Sequence, residues 1–332
     1  AKKLADFHKI SERKVIDKSS ESMKDYYKFV KEIVGIENLA LIKKSGLKVL
    51  IDPNGGTGIA AISLLKEIGV STVSINNEYG QFNRAVEPTE DSLFYLGNIL
   101  KGKNADFAAG FDCDADRVEI MMGSGKLISG NYVLALVVDY ILSSLSNPKG
   151  KIVVVNDATS SVVKKVAEKY GAKIREVEVG ETNVVSEMYK LKSPVGGEGS
   201  SSGAITPPSR CRDGILTLVQ ILSIVSKKKE SIEKIVDTLP KFCTLREKME
   251  FDSKKHDEIK KFLKNYYTKK GFEIKETGGI KGGLKAVDGN SFIWFRASKT
   301  EGNVFRIISD SDNLETAQSL LKEAVEVFGK VK

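Results

Sequence analysis

Short apolar runs alternate with amphipathic segments along much of this chain of 332 residues. Residues 49–51 (Val-Leu-Ile) form one apolar run, and residues 59–68 then carry apolar side chains at helical spacing. Residues 70–75 (Val-Ser-Thr-Val-Ser-Ile) are predicted to form the next strand. Such runs, separated by amphipathic helices, are typical of a parallel sheet with helices on its faces. The pattern therefore predicts a βαβ unit that begins near Lys48.

The alternation continues to a linker at residues 146–150 (Ser-Asn-Pro-Lys-Gly) and returns after it. Before the linker it predicts two helices, 89–101 with Thr89 as the cap and 132–145, and two strands, 105–111 and 118–122. After the linker it predicts strands at 151–155 and 173–177 and helices at 160–169 and 181–190. From about Cys243 the pattern is less regular, with helices predicted at 253–269 and 313–331 and strands at 291–295 and 304–308.

We therefore predict an α/β protein with two successive three-layer α/β domains, residues 47–147 and 148–240, followed by a smaller α+β domain, residues 241–332. Residues 1–46 are polar and rich in lysine, with apolar side chains at roughly helical spacing from Tyr26 to Val34. This segment is too short to bury its own apolar face. We predict that it is a lead-in helical segment and not a domain.

The loop between the two strands of the first domain is strongly acidic. Asp112, Asp114 and Asp116 occupy alternate positions, and Arg117 follows. In extended backbone, residues two apart share one face, so the three carboxylates are expected to converge. Three anions this close repel one another unless a cation lies among them. Hard carboxylate oxygens suit Mg²⁺ or Ca²⁺, and we predict a metal site at this loop.

Other motifs that this region resembles fit less well. An EF-hand requires Gly and Glu where this loop has Arg117 and Gly123, and a solvated acidic turn does not explain the apolar strand on each side. Residues 56–61 match a dinucleotide-binding fingerprint, but glycine-rich turns of this kind are common in α/β domains, and we interpret the match as mainly structural. Residues 123–126 are not a phosphate-binding P-loop, because Leu127 replaces the required Ser or Thr.

Two further loops are unusual in composition. Residues 195–203 place Glu198 among glycines and serines, which suits binding of a polyhydroxylated molecule; a flexible linker is the alternative. Residues 296–303 are predicted to form a loop that concentrates cationic and hydroxyl side chains: Arg296, Ser298, Lys299 and Thr300. Arg offers a bidentate fork to phosphate, and hydroxyls and amides complete such a site. An ordinary polar hairpin turn is the alternative here.

Composition narrows the function classes. The formal net charge is +8 with an isoelectric point near 9.1, but no basic stripe is interleaved with aromatic residues. We therefore predict no nucleic-acid partner and favour an anionic small substrate. The three cysteines have no CxxC spacing, which fits a reducing cytoplasm, and no apolar run approaches the length of a membrane span. The sequence does not predict an oligomeric state.

Three loops in this order resemble those of the α-D-phosphohexomutase superfamily, which contains phosphoglucomutases, phosphomannomutases and phosphoglucosamine mutases. Residues 112–117 (Asp-Cys-Asp-Ala-Asp-Arg) resemble its magnesium loop, residues 197–200 (Gly-Glu-Gly-Ser) its sugar-binding loop, and residues 296–301 (Arg-Ala-Ser-Lys-Thr-Glu) its phosphate-binding loop. Residues 52–56 and 212–214 match lesser signatures. The resemblance covers nearly the whole chain from about residue 10.

The resemblance implies a cytoplasmic, Mg²⁺-dependent enzyme that interconverts hexose 1- and 6-phosphates through a bisphosphate intermediate and a phosphoserine. It implies a role for each matching residue. Asp112, Asp114 and Asp116 would hold Mg²⁺, and Arg117 would lie beside the transferred phosphoryl group. The remaining residues would bind the hexose phosphate: Glu198 and Ser200 the sugar, and Arg296, Ser298 and Thr300 the phosphate that is not reacting.

The sequence also departs from the superfamily pattern. No segment matches its Thr-Ala-Ser-His-Asn-Pro-like motif, so we expect that the first domain with the catalytic serine is missing and that residues 1–46 are its tail. Relatives often carry a basic residue or His where this chain has residues 181–183 (Glu-Thr-Asn). In the phosphate loop, Lys299 replaces the usual Gly and Gly302 the usual Pro.

Three hypotheses follow from the sequence. In the first, the chain is the larger part of a phosphohexomutase, and phosphoglucosamine mutase is one possible subfamily. In the second, it is a short paralogue that binds sugar phosphates without turning them over. In the third, it is a metal-dependent phosphatase whose acidic loop supplies the nucleophile. The third is the least favoured, because the sugar and phosphate loops follow the mutase order. The sequence does not identify the hexose.

Overall fold

The computed structural model describes residues 16–199, 202–279, 281–298 and 301–331. Their strands form three sheets, two mixed sheets flanked by helices and one antiparallel sheet, in the order of the predicted α/β, α/β and α+β units. The predicted fold class is confirmed.

The first unit is built around the parallel strands β1 and β3. Its sheet has the order β2-β1-β3-β4-β5, in which β4 and β5 are antiparallel to their neighbours. Its elements are α1 (Ser19–Val34), α2 (Ile36–Ser45), β1 (Lys48–Asp52), α3 (Ile59–Glu67), β2 (Ser71–Ser74), α4 (Glu90–Leu93), α5 (Leu96–Lys103), β3 (Phe107–Phe111), β4 (Val118–Met122) and β5 (Leu127–Ile128). The acidic loop joins β3 to β4.

Two predicted helices are each divided into two. The lead-in segment forms α1 and α2, which are separated by Gly35 with a φ of +83°. The helix predicted to follow Thr89 forms α4 and α5, and Thr89 caps the first of them through a capping box with Ser92. The apolar side chains of α1 and α2, Val30, Val34 and Ile42, are buried in the main hydrophobic core.

The second unit repeats the βαβ arrangement with the sheet order β7-β6-β8-β9. Its elements are α6 (Gly130–Ser144), β6 (Ile152–Asn156), α7 (Ser161–Lys169), β7 (Lys173–Val177), α8 (Glu181–Leu191), β8 (Gly196–Gly197), β9 (Ala204–Ile205), α9 (Gly214–Lys228) and α10 (Ile232–Asp237). Strands β8 and β9 flank the predicted sugar loop. The predicted domain limits stay predictions, although α6, which precedes the limit at 147/148, packs on α7, β8 and β9.

Helix α9 joins the first two units. Every residue from Gly214 to Ser226 is buried, because α1, α2, α6 and β4 all pack against this helix. Its N-terminus lies directly below the acidic loop, where the amide of Gly214 donates to the carbonyl of Ala115 at 3.0 Å. A Cβ on Gly214 would lie 2.8 Å from that carbonyl oxygen, so only glycine permits this approach.

The third unit is an antiparallel sheet covered by two helices, with the order β10-β14-β13-β12-β11. Its elements are β10 (Cys243–Glu250), a 3₁₀ turn (Ser253–Lys255), α11 (His256–Lys269), β11 (Glu273–Glu276), β12 (Leu284–Asp288), β13 (Ser291–Ala297), β14 (Val304–Ser311) and α12 (Leu314–Gly329). The expectation that Arg296 lies in a loop is wrong. Arg296 is part of β13 and pairs with Arg306 of β14.

No helix in the described part of the chain is long and apolar enough to cross a membrane.

Replacing Leu222 of α9 by Ala tests the role of this helix. Leu222 is fully buried, so the substitution leaves a cavity between the two α/β units and should lower the free energy of unfolding by ~2–5 kcal/mol. Lys227→Ala, at an exposed position of the same helix, is the control and should change it by less than about 0.5 kcal/mol. Chemical denaturation measures both. Equal effects would show that α9 does not hold the units together.

Candidate active site

The acidic loop brings three carboxylates together. One ligand oxygen from each of Asp112, Asp114 and Asp116 lies within 4.8 Å of the other two. Asp112 is buried, Asp116 is partly buried and Asp114 is exposed, so the cluster is anchored at one side and open to solvent at the other. This donor set fits a hard divalent cation. The identity of the ion stays a prediction.

The carboxylates converge through a turn and not through extended backbone, so the expected reason for their convergence is wrong. Residues 113–116 form a bend, and Ala115 has a φ of +59°, in the left-handed region. Ala115 is buried, which leaves no room for a larger side chain at this strained position.

Arg117 offsets part of the negative charge of the loop. Its Nε donates to Oδ2 of Asp112 at 2.6 Å and lies 3.5 Å from Oδ1 of Asp116. Its Nη1 donates to the exposed Glu87 at 2.9 Å. Burial and the neighbouring Asp112 nevertheless raise the pKa of Asp116 to about 6, against the opposing charge of Arg212. Burial of Asp116 beside another carboxylate thus disfavours its charged form.

The turn between β1 and α3 supports the acidic loop from below. The amide of Thr57 donates to the carbonyl of Cys113 at 2.8 Å. A Cβ on Gly56 would lie 2.3 Å from the same oxygen, and a Cβ on Gly58 would lie 2.9 Å from the ring of Phe111. These glycines therefore have a structural role, as predicted, because they let the turn pack against the loop.

Arg84 ties together the ends of the two central strands. Its Nε donates to the buried Asp52 at 2.8 Å, and its Nη2 donates to the carbonyl of Phe111 at 2.5 Å. Asp52 ends β1 and Phe111 ends β3, so this contact fixes the point at which the acidic loop begins.

The predicted sugar loop is held by the ends of β6 and β7. Oε1 of Glu198 accepts from Nδ2 of Asn156 at 2.9 Å and from the amide of Gly180 at 2.8 Å. Glu198 is buried, and its other oxygen lies 3.8 Å from Arg212. The neighbouring Ser200 lies outside the described residues.

Arg212 connects the acidic loop with the sugar loop. Its Nη2 donates to Oδ2 of Asp116 at 2.5 Å, and its guanidinium also lies within 4 Å of Glu198 and Glu181. Its backbone amide donates to Glu181 as well. One cation thus lies among carboxylates from three segments, so the positions of these segments depend on one another.

Arg296 of the predicted phosphate loop is buried at the boundary of the second and third units. Its Nη2 donates to Oε1 of Glu178 at 2.8 Å. Ser298 follows at the end of β13, where its amide donates to the carbonyl of Val304 and its hydroxyl accepts from the amide of Glu301 at 3.0 Å. Thr300 lies outside the described residues.

Sequence reasoning missed the residues that connect the loops: Arg84, Glu178 and the bridging role of Arg212. Arg84 and Glu178 lie in no recognised motif, and Arg212 lies in residues 212–214, which match only a lesser signature of the superfamily. Their partners are distant in sequence, 32 residues away for Asp52, 96 for Asp116 and 118 for Arg296. The sequence feature that could have pointed to Glu178 is the high density of charged residues in 173–181.

Comparison with known families gives two matches. Residues 24–125 match the model of alpha/beta/alpha domain II of phosphoglucomutase/phosphomannomutase, and residues 129–242 match that of domain III. A phosphoglucomutase/phosphomannomutase from Thermococcus kodakarensis is 30% identical over 328 residues, covering 97% of this chain and 69% of the relative. The chain belongs to the phosphoglucomutase/phosphomannomutase family. The predicted superfamily is thereby confirmed.

The chain is also similar to a phosphoglucosamine mutase and, in fold, to two solved structures. A probable phosphoglucosamine mutase from Pyrococcus furiosus is 27% identical, covering 92% of this chain and 65% of the relative. A putative phosphomannomutase structure from Thermus thermophilus has a TM-score of 0.72 at 21% identity, covering 96% of this chain and 67% of that one. The phosphoglucomutase parafusin from Paramecium has a TM-score of 0.74 at 20% identity, covering 92% of this chain and 62% of that one. The chain thus spans about two thirds of the length of these relatives.

Asp114→Asn tests the metal site of this family member. The substitution removes one anionic ligand at the exposed side of the cluster, where the fold depends on it least. We expect the Mg²⁺ affinity, measured by titration calorimetry, to fall about tenfold or more. Loss of a residue that only supports a metal ligand already lowers metal affinity by about 10–100-fold. Asp91→Asn, at another exposed acidic position, is the control and should bind Mg²⁺ like the parent. Equal Mg²⁺ affinities of the parent, Asp114→Asn and Asp91→Asn would exclude a metal site at this loop.

Glu119 of β4 lies beside the acidic loop in a cleft of about 710 Å³ that Arg117 and Arg246 also line. It accepts from the hydroxyl of Ser202 at 2.7 Å. Burial raises the pKa of Glu119 to about 7, although Ser202 and the charge of Arg246 oppose the shift. The folded protein therefore holds this proton more tightly than the unfolded chain. The resulting stabilisation is complete below pH ~4.5 and is lost as the pH rises towards 7.

Glu119→Gln tests this linkage, because Gln keeps a hydrogen-bond acceptor but does not ionise. The free energy of unfolding of the variant minus that of the parent should increase between pH 4.5 and pH 8, by ~1–3 kcal/mol. Urea denaturation at a series of pH values measures the difference, in which the other titrating groups largely cancel. A difference that does not change with pH would contradict the raised pKa.

Proposed function

We propose that these 332 residues form the metal-binding, sugar-binding and phosphate-binding parts of a phosphohexomutase, which interconverts hexose 1- and 6-phosphates. The supporting observation is a continuous path of contacts through the three loops. Asp116 pairs with Arg212, Arg212 lies near Glu198, Glu198 accepts from Gly180, and Glu178, two residues before Gly180, pairs with Arg296. These contacts support the proposal that three loops far apart in sequence border one site.

Asp112, Asp114 and Asp116 are the proposed ligands of Mg²⁺. Their close oxygens and graded exposure fit a hard cation that keeps part of its water shell. When bound, the ion offsets the negative charge of a phosphoryl group during its transfer. Arg117 adds a fixed cation beside the same point, because its contact with the buried Asp112 holds its guanidinium at the loop.

Glu198 is the proposed sugar ligand, together with Ser200. Its carboxylate is fixed by Asn156 and Gly180, so it presents acceptor oxygens in a set orientation. Hydroxyl groups of a hexose are donors that match such acceptors. Arg296, Ser298 and Thr300 are the proposed ligands of the phosphate that does not react. The phosphoserine of the family reaction has no matching motif in this sequence, and we propose that it comes from outside these residues.

Binding of sugar phosphate without turnover is the second candidate. It is favoured by Glu181, an acidic residue where relatives often carry a basic residue or His. In the structure Glu181 lies 3.7 Å from the guanidinium of Arg212, so a carboxylate and not a free cation occupies this part of the site. The two candidates share the binding residues and differ only in catalysis.

Arg296→Ala tests the binding site that both candidates share. Loss of the guanidinium should weaken binding of glucose 1-phosphate at least tenfold, since charge-assisted hydrogen bonds contribute about 1.5–3 kcal/mol. Titration calorimetry in the presence of Mg²⁺ measures the dissociation constant. Arg210→Ala is the control, because Arg210 is exposed and its guanidinium stacks on Tyr189. An unaltered constant for Arg296→Ala would exclude the phosphate role.

A coupled mutase assay then separates the two candidates. It uses the chain with Mg²⁺, mannose 1-phosphate or glucose 1-phosphate, and a trace of the hexose 1,6-bisphosphate. Turnover would show that a nucleophile lies within these residues and would exclude the binding-only role. Binding without turnover, restored to activity by a separately supplied family domain with the phosphoserine, would support the mutase. Binding that no such domain activates would support the second candidate.

A further inference from the structure

Arg296 is a buried cation whose partner comes from another unit. Only 8% of its side chain is exposed, and its Nη2 lies 2.8 Å from Oε1 of Glu178, whose side chain is 17% exposed. Arg296 lies near the end of β13 in the third unit, whereas Glu178 directly follows β7 in the second. The attraction between opposite charges is larger where water is excluded than at the surface, so the Glu178 carboxylate competes with any other anion for Arg296.

The chain makes room for the Glu178 carboxylate. Gly278 has a φ of +65°, and a Cβ there would lie 2.3 Å from the carboxyl carbon of Glu178. The carboxylate is thus enclosed between the loop that contains Gly278 and the strand end that carries Arg296.

The guanidinium of Arg296 is not fully used by this contact. Its Nε is buried and has no hydrogen-bond partner among the described residues. A buried donor without a partner costs free energy, and a phosphate could accept from Nε and Nη2 together in the bidentate geometry that Arg favours. The Nε of Arg296 is therefore a donor that a phosphate could use in addition to Nη2, which the contact with Glu178 already occupies.

We infer that Glu178 is a specificity-determining residue that occupies the phosphate position at Arg296 and lowers the affinity of this site for phosphate monoesters. The inference rests on the proposed function, since it assumes that Arg296 is the phosphate ligand. A phosphate reaches Arg296 only when the Glu178 carboxylate moves away, because two anions at one guanidinium repel each other. The Glu178–Arg296 pair thus raises the ligand concentration that is needed to fill the site.

The boundary of the two units does not depend on this pair. Lys285 and Glu176 form a second ion pair at 2.5 Å, and the amide of Ser161 donates to Asp310 at 2.9 Å. These contacts should keep the second and third units together when Glu178 is replaced. Glu176→Gln is therefore a matched control, because it removes an ion pair at the same boundary but leaves Arg296 and its partner in place.

The experiment measures binding of glucose 1-phosphate, and of inorganic phosphate as a minimal probe, by titration calorimetry. The proteins are the parent chain, Glu178→Gln, Glu176→Gln, Arg296→Ala and the double variant Glu178→Gln/Arg296→Ala. We expect Glu178→Gln to bind both probes about tenfold more tightly than the parent. Glu176→Gln should bind like the parent and have a lower melting temperature. The double variant should not show this tighter binding, because the higher affinity of Glu178→Gln depends on Arg296.

The outcomes separate this inference from the proposed function. If Glu178→Gln binds no more tightly than the parent while Arg296→Ala binds more weakly, Glu178 only joins the units, and the phosphate role of Arg296 stands. If Glu176→Gln gains affinity equally, the gain comes from loosening the boundary and the inference is wrong. If Arg296→Ala binds both probes like the parent, the proposed phosphate site itself is wrong.

Discussion

The concentration of carboxylates around one point is the constraint on which the rest of this structure depends. Asp112, Asp114 and Asp116 would push the acidic loop apart if nothing offset their charge. Arg117 and Arg212 do so in part, and each also binds a carboxylate from another segment. The counterions of the loop are therefore also the links between segments. A loop that needs positive charge thus organises its surroundings, and the same need makes it suitable for a divalent cation.

Close backbone packing turns this electrostatic demand into a fixed geometry. Gly56 and Gly58 let the first βα turn lie against the acidic loop, and Gly214 lets the N-terminus of α9 approach from the other side. Since α9 is buried between the first two units, the acidic loop and the sugar loop rest on the same rigid element. The third unit is joined through ion pairs such as Glu178–Arg296 and Glu176–Lys285 and through a small apolar cluster in which Ala158 packs with Phe292 and Trp294.

Local patterns in the sequence were sufficient for most of the α/β elements. Strand β6 and helix α3 follow the predicted ranges closely, because a buried strand or an amphipathic helix is defined by its own periodicity. Strands β10, β11 and β12 were not predicted, since their positions depend on pairing with distant strands in an antiparallel sheet. The breaks at Gly35 and near Phe94 were also missed. Tertiary packing decided where those helices end.

The sequence alone determined the chemistry that each loop offers. Three alternating aspartates, a glutamate among glycines and serines, and an arginine followed by hydroxyl residues are local facts, and their order was enough to indicate the family. The tertiary structure decided how these groups are paired. The left-handed turn at Ala115, the position of Arg212 among three carboxylates and the contact of Glu178 with Arg296 join residues far apart in the chain. The reason is physical: a side chain's type is fixed by sequence, whereas its partner is fixed only when the whole chain has packed.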